Sequence, residues 1–155
     1  MYKKILVPHA GTSAGNKALR HAKEMAKKHG SSVTILHVVE NIPIPPSLGF
    51  DSERKRWGKE LLAARREMKM EMHEKITTQS ISLKKENISV LVKVLHGYPD
   101  EEIVRIANQD KYDLVIMAKR RKLPGLKAIL KLGSVSRKVL EQIRCPVMLV
   151  DGERK

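Results

Sequence analysis

The chain has 155 residues, 41% hydrophobic and 3% aromatic, and 31 Lys and Arg against 17 Asp and Glu give it a formal charge of +14. No run of about 18 apolar residues occurs, which excludes a transmembrane helix of ordinary kind. The opening Met1-Tyr2-Lys3-Lys4-Ile5-Leu6-Val7-Pro8 lacks the apolar core and cleavage site of a signal peptide. Cys145 is the only cysteine, so no internal disulfide can form, and the expected location is cytoplasmic. The length suits a single domain, residues 1–155, with a buried core. Tyr2, Phe50, Trp57, Tyr98 and Tyr112 are too few and too scattered to build a base-stacking platform. Any attraction to nucleic acid therefore rests on charge and is expected to be nonspecific.

In chain order, Lys4-Ile5-Leu6-Val7 reads as a short buried strand. Thr12 or Ser13 can cap a helix running to about Lys28, with Ala18, Leu19, Ala22, Met25 and Ala26 on one face and Gly30 beyond its end. Val33 to Val39 is a second strand, and the proline-rich stretch from Asn41 to Phe50 is a loop. A long helix is predicted from about Asp51 to Lys84. Its stripe is Trp57, Leu61, Ala64, Met68, Met72, Ile76, Gln79 and Leu83, and its methionines read as core packing. Ile88 to Leu95 is a third strand, Pro99-Asp100-Glu101-Glu102 opens a helix, and Leu114 to Met117 is a fourth strand. A last helix from near Ser134 to Ile143 leads to a fifth strand, Pro146 to Val150.

Strands alternating with helices predict an α/β fold, a parallel sheet covered on both faces. Ligands of such sheets sit beyond the carboxyl ends of the strands, where strand order reverses. The candidate edge is therefore Pro8 to Thr12, His37 to Glu40, His96 to Pro99, and the chain from Met117 onward.

Four stretches, "MYKKILVP", "TILHVVE", "HGYPDEEIV" and "GSVSRKVLEQIRCPVMLV", together resemble the universal stress protein family, in register from Met1 to Val150. The resemblance implies a five-stranded parallel sheet of order 3-2-1-4-5, a Rossmann-like fold of the adenine nucleotide alpha hydrolase type. Its crevice would then lie between the ends of strands 1 and 4. Nucleotide-binding members carry G-x2-G-x9-G-[ST] after strand 4 and an aspartate after strand 1.

This chain departs from that pattern. Pro8 is kept, Ala10 stands at the aspartate position with His9 before it, and Val38 matches the residue expected beside adenine. Met117 leads into Ala118 and Arg121 at the first two glycine positions, within the basic run Lys119-Arg120-Arg121-Lys122. Eleven residues, not nine, separate Arg121 from the intact Gly133-Ser134 pair, which Val135 and Ser136 follow. A Cβ at 118 crowds a phosphate, and an arginine does not copy a left-handed glycine without strain of about 1 kcal/mol or more. Gly133-Ser134 reads either as an anion site, through the free amides of a helix start, or as a plain helix cap. The basic run reads either as a set of guanidinium forks for phosphate or as a solvated loop.

His9, His37 and His96 all fall near strand ends, but no carboxylate completes a metal set, and no metal is expected. Cys145 reads as structural and Asp113 as a surface turn residue. No catalytic triad is visible.

The expectation is thus a stress-response regulatory or binding domain with a degenerate nucleotide pocket. Two alternatives stay open: an ATP or AMP binder with slow hydrolysis, using Gly133-Ser134 and residues 119–122, and a nonspecific polyanion binder. The resemblance also implies a homodimer through strand 5, Val147-Met148-Leu149-Val150, whose side chains alternate between the two faces of the sheet.

Overall fold

The computed structural model describes residues 1–41, 51–119 and 133–152, except the side chains of 51–54. The elements run β1 (Lys4–Pro8), α1 (Ser13–His29), β2 (Ser32–Glu40), α2 (Asp51–Lys84), β3 (Val90–Gly97), α3 (Pro99–Gln109), β4 (Leu114–Lys119), α4 (Ser134–Gln142) and β5 (Val147–Asp151). All strand pairs are parallel, in the order β3-β2-β1-β4-β5. The order reverses between β1 and β4, which places the crevice where the sequence predicts it.

Alternation along the strands gives each face of the sheet its own core. Ile5, Val7, Val33, Ile35 and Ile116 pack under α1 and α2, against Ala18, Ala22, Ile76 and Leu83. Leu6, Leu36, Val115 and Met117 pack under α3 and α4, against Ile103, Ile106 and Val139. Met148 and Val150 of β5 join the first core, and Val147 and Leu149 the second.

Local signals explain most boundaries. Thr12 caps α1 by accepting from Gly15 N–H at 3.3 Å, and Gly30 ends it in the left-handed conformation (φ 66°). Pro99 opens α3, with Asp100, Glu101 and Glu102 in its first turn. Asp113 does more than occupy a turn. Its Oδ2 accepts from the backbone N–H groups of Lys3 and Lys4 at 2.9 and 2.8 Å, fixing the start of β1 beside β4.

Three sequence expectations are corrected. The third strand begins at Val90, two residues late, because Asn87 has φ 58° and Ile88 N–H still bonds back to Leu83 at 3.2 Å. The fourth strand runs on to Lys119, and Ala118 and Lys119 pair in register with Val150 and Asp151. The methionines of α2 are core only from Met72 onward. Met72 packs against the first core, whereas Met68 and Met70 are 46% and 67% exposed. The reason is length. The 34 residues of α2 span about 51 Å, and the nine of β2 about 30 Å, so the helix overruns the sheet. No helix among the described residues is long and apolar enough to cross a membrane.

Candidate functional site

At the carboxyl edge the chain leaves β1 through Pro8 and turns into α1. His9 N–H still bonds to Leu36 O at 2.8 Å, but its side chain is folded inward and only 2% exposed. Both ring nitrogens are engaged. Gly11 N–H donates to Nδ1 at 3.0 Å, which leaves the proton on Nε2, and Nε2–H donates to Asn16 Oδ1 at 2.9 Å. His37 Nδ1–H in turn donates to the His9 carbonyl at 2.7 Å.

Two glycines make this arrangement fit. A Cβ at Gly15 would lie 2.9 Å from the His9 ring. Gly11 has φ +73°, and a Cβ there would lie 2.6 Å from Cε of Met72 on α2. Burial lowers the pKa of His9 below its ordinary value, against the Asn16 hydrogen bond, and the nearby His37 and Lys75 lower it further. The imidazole is therefore a neutral peg that fastens the β1–α1 turn.

Ala10, at the aspartate position, is exposed. Val38 is half-buried and packs against the second core. On β4, Met117 is buried, while Ala118 and Lys119 are half-buried in the sheet and Lys119 Nζ lies 3.8 Å from Asp151. Where the resemblance puts a glycine, the backbone is thus still paired strand. Arg120 and Arg121 lie outside the described residues.

Across the crevice, Gly133 is the N-cap of α4 in ordinary extended geometry (φ −61°, ψ 152°) with no side-chain cap hydrogen bond. Ser134 is exposed, Val135 half-buried and Ser136 buried. The amides of this first turn have no partners within the helix, and no acid stands among them. Lys138 of α4 bonds Asp100 of α3 at 2.8 Å, which holds the Asp100 carboxyl below the usual carboxylate range and ties the two helices together.

His96, near the end of β3, is half-buried, and its Nδ1 finds no partner among the described residues. Burial, then Lys69 and Arg65 of α2, lower its pKa. Among the described residues no three of His, Cys, Asp and Glu stand together as a metal set. Cys145 is half-buried and burial raises its pKa, so it lacks the thiolate character of a reactive thiol.

Sequence reasoning missed Gly11, Gly15 and Asn16. A histidine followed at two and six residues by glycines, with an asparagine one further on, was a usable signal. Its meaning depends on a left-handed turn that spacing alone does not show.

The fold and this edge define a Rossmann-like α/β architecture, and comparison with known proteins names the class. The universal stress protein family model matches residues 1–151, and the chain belongs to that family. The universal stress protein MJ0531 of Methanocaldococcus jannaschii is 32% identical over 155 residues, covering 100% of this chain and 85% of that one. The solved structure of MJ0577, from the same organism, superimposes with a TM-score of 0.78 at 28% identity, over 100% of this chain and 98% of that one. The universal stress protein of Archaeoglobus fulgidus, solved in complex with dAMP, shares the fold with a TM-score of 0.61 at 18% identity, over 97% and 98% of the two chains.

Proposed function

We infer that the chain is a stress-response regulatory domain whose crevice retains the phosphate end of a nucleotide site and has lost much of the rest, so that it holds an adenine nucleotide weakly. The observation that carries this reading is the uncapped first turn of α4 at Gly133-Ser134, facing a strand 4 that stays paired through Lys119. The α4 amides and the positive end of its dipole suit an anion. Opposite them, Ala10 offers no acceptor for a ribose hydroxyl, and both nitrogens of the neighbouring His9 are committed to Asn16 and Gly11.

A nucleoside monophosphate, of the kind held by the Archaeoglobus fulgidus relative, carries a phosphate of the type these amides suit. Hydrolysis is not part of the reading.

The test is direct. Chain purified without added nucleotide is denatured, and the released small molecules are identified by mass spectrometry. Sub-stoichiometric or absent adenine nucleotide is expected. Adding an acceptor by Ala10→Asp should raise the occupancy. One equivalent of ATP from the unmodified chain would overturn the reading.

A further inference from the structure

The two helix layers carry charge very unequally. On one side of the sheet, α1 has Lys17, Arg20, Lys23, Lys27 and Lys28 against Glu24 alone. Its neighbour α2 has nine Lys and Arg against six Asp and Glu. On the other side, α3 has Arg105 against Asp100, Glu101 and Glu102, and α4 has Arg137 and Lys138 against Glu141. The positive excess of the helices is therefore concentrated on one face of the molecule.

That face is also concave. An open groove of about 430 Å³ runs between α1 and the C-terminal half of α2, lined by Ser13, Lys17, Arg20 and Lys23 on one wall and Gln79 and Ser82 on the other. No carboxylate among the described residues lines it. Glu86 at its far end is shared by Lys23 and Lys27, so one acid meets two cations and the excess persists.

From Ser13 to Lys23 the wall is about 15 Å long, over which one strand of a duplex presents about four phosphates. The cations continue past the groove at Lys27 and Lys28, which suits a polymer better than a small anion. None of the exposed large apolar side chains belongs to α1, the wall that carries the groove's cations.

We propose that the groove between α1 and α2 docks the phosphate backbone of a nucleic acid without regard to sequence, with Lys17, Arg20 and Lys23 toward the phosphates and the Ser13 hydroxyl donating a hydrogen bond. One end of the groove, at Ser13 and Asn16, adjoins the β1–α1 turn of the crevice, but the proposal does not rest on the nucleotide reading. Backbone contacts position a duplex but do not read it, in keeping with the scarcity of aromatic side chains.

The test is fluorescence anisotropy of a labelled duplex DNA of mixed sequence over a series of salt concentrations. Arg20→Glu is compared with Arg144→Glu, an equal change of charge at an exposed position on the opposite side. The unmodified chain should bind, with affinity falling steeply as salt rises. Arg20→Glu should weaken binding and make the log–log salt slope shallower by about one unit, Arg20→Gln should do so to a lesser degree, and Arg144→Glu should leave both nearly unchanged. Equal weakening by Arg20→Glu and Arg144→Glu would overturn the proposal, because net charge alone would then explain the attraction. So would binding to phosphatidylserine vesicles that depends on Arg20 while the duplex does not bind.

Discussion

His9 is a titratable side chain surrounded by cations and amides, with His37 and Lys75 nearby and no carboxylate acting on it. Protonation would turn Nδ1 from acceptor to donor and break the bond from Gly11 N–H. The folded chain holds His9 below its ordinary value of 6.5, so as pH falls the unfolded chain takes up the proton first. Stability from this group is complete above the unfolded value and is lost as pH drops below it, toward the folded value. His96 contributes with the same sign. Denaturant midpoints should therefore fall between about pH 7.5 and pH 5.5, and His9→Gln should flatten part of that slope. A slope unchanged in the His9→Gln, His96→Gln double variant would show that other groups carry it.

Gly11 gives a second residue-scale prediction. Gly11→Ala places a Cβ at φ +73°, 2.6 Å from Met72 Cε. It should cost about 1–2 kcal/mol from backbone strain, measured by chemical denaturation. Adding Met72→Ala removes the contact but not the strain, so the double variant should not recover that loss.

At the scale of elements, α2 separates what its pattern shows from what it hides. A stripe from Trp57 to Leu83 predicts one continuous buried face, yet burial begins only near Met72. Ile76 is 0% exposed and Trp57 is 47% exposed. The pattern reports which way a helix turns and not how far the sheet beneath it extends. Ile76→Ala should thus cost about 2–5 kcal/mol, while Met70→Ala should change stability by less than about 0.5 kcal/mol. Similar losses for both, by urea denaturation, would mean that α2 is packed at Met70 despite its exposure.

The strands were legible for a different reason. A sheet buried on both faces shows itself as unbroken apolar runs, and β1, β2 and β4 are found where Ile5, Val33 and Leu114 mark them. The start of β3 was not legible, because the left-handed Asn87 delays it and no glycine or proline signals the turn. In the site, the departures at Ala10 and Ala118 could be read from the motif alone. The inward turn of His9 could not, since Gly11, Gly15 and Asn16 create it together.

At the scale of the molecule, β5 is an edge strand, paired among the described residues only with β4. Its side chains are used on both faces, with Met148 and Val150 in one core and Val147 and Leu149 in the other. The outer row of its backbone groups is left for a partner. A second copy, antiparallel about a two-fold axis, would satisfy that row. Leu149→Lys should shift the chain toward monomer or insolubility, and light scattering of the unmodified chain at tens of micromolar should give the dimer mass. A monomer there would rule out this assembly.

The reading of the crevice between β1 and β4 as a weak nucleotide site is the central claim. Isothermal titration of the unmodified chain with ATP tests this most directly. The paired Ala118, the exposed Ala10 and the committed His9 predict either no heat or a dissociation constant weaker than about 10 µM, less than about 7 kcal/mol of binding free energy. A submicromolar constant at one site per chain would contradict it.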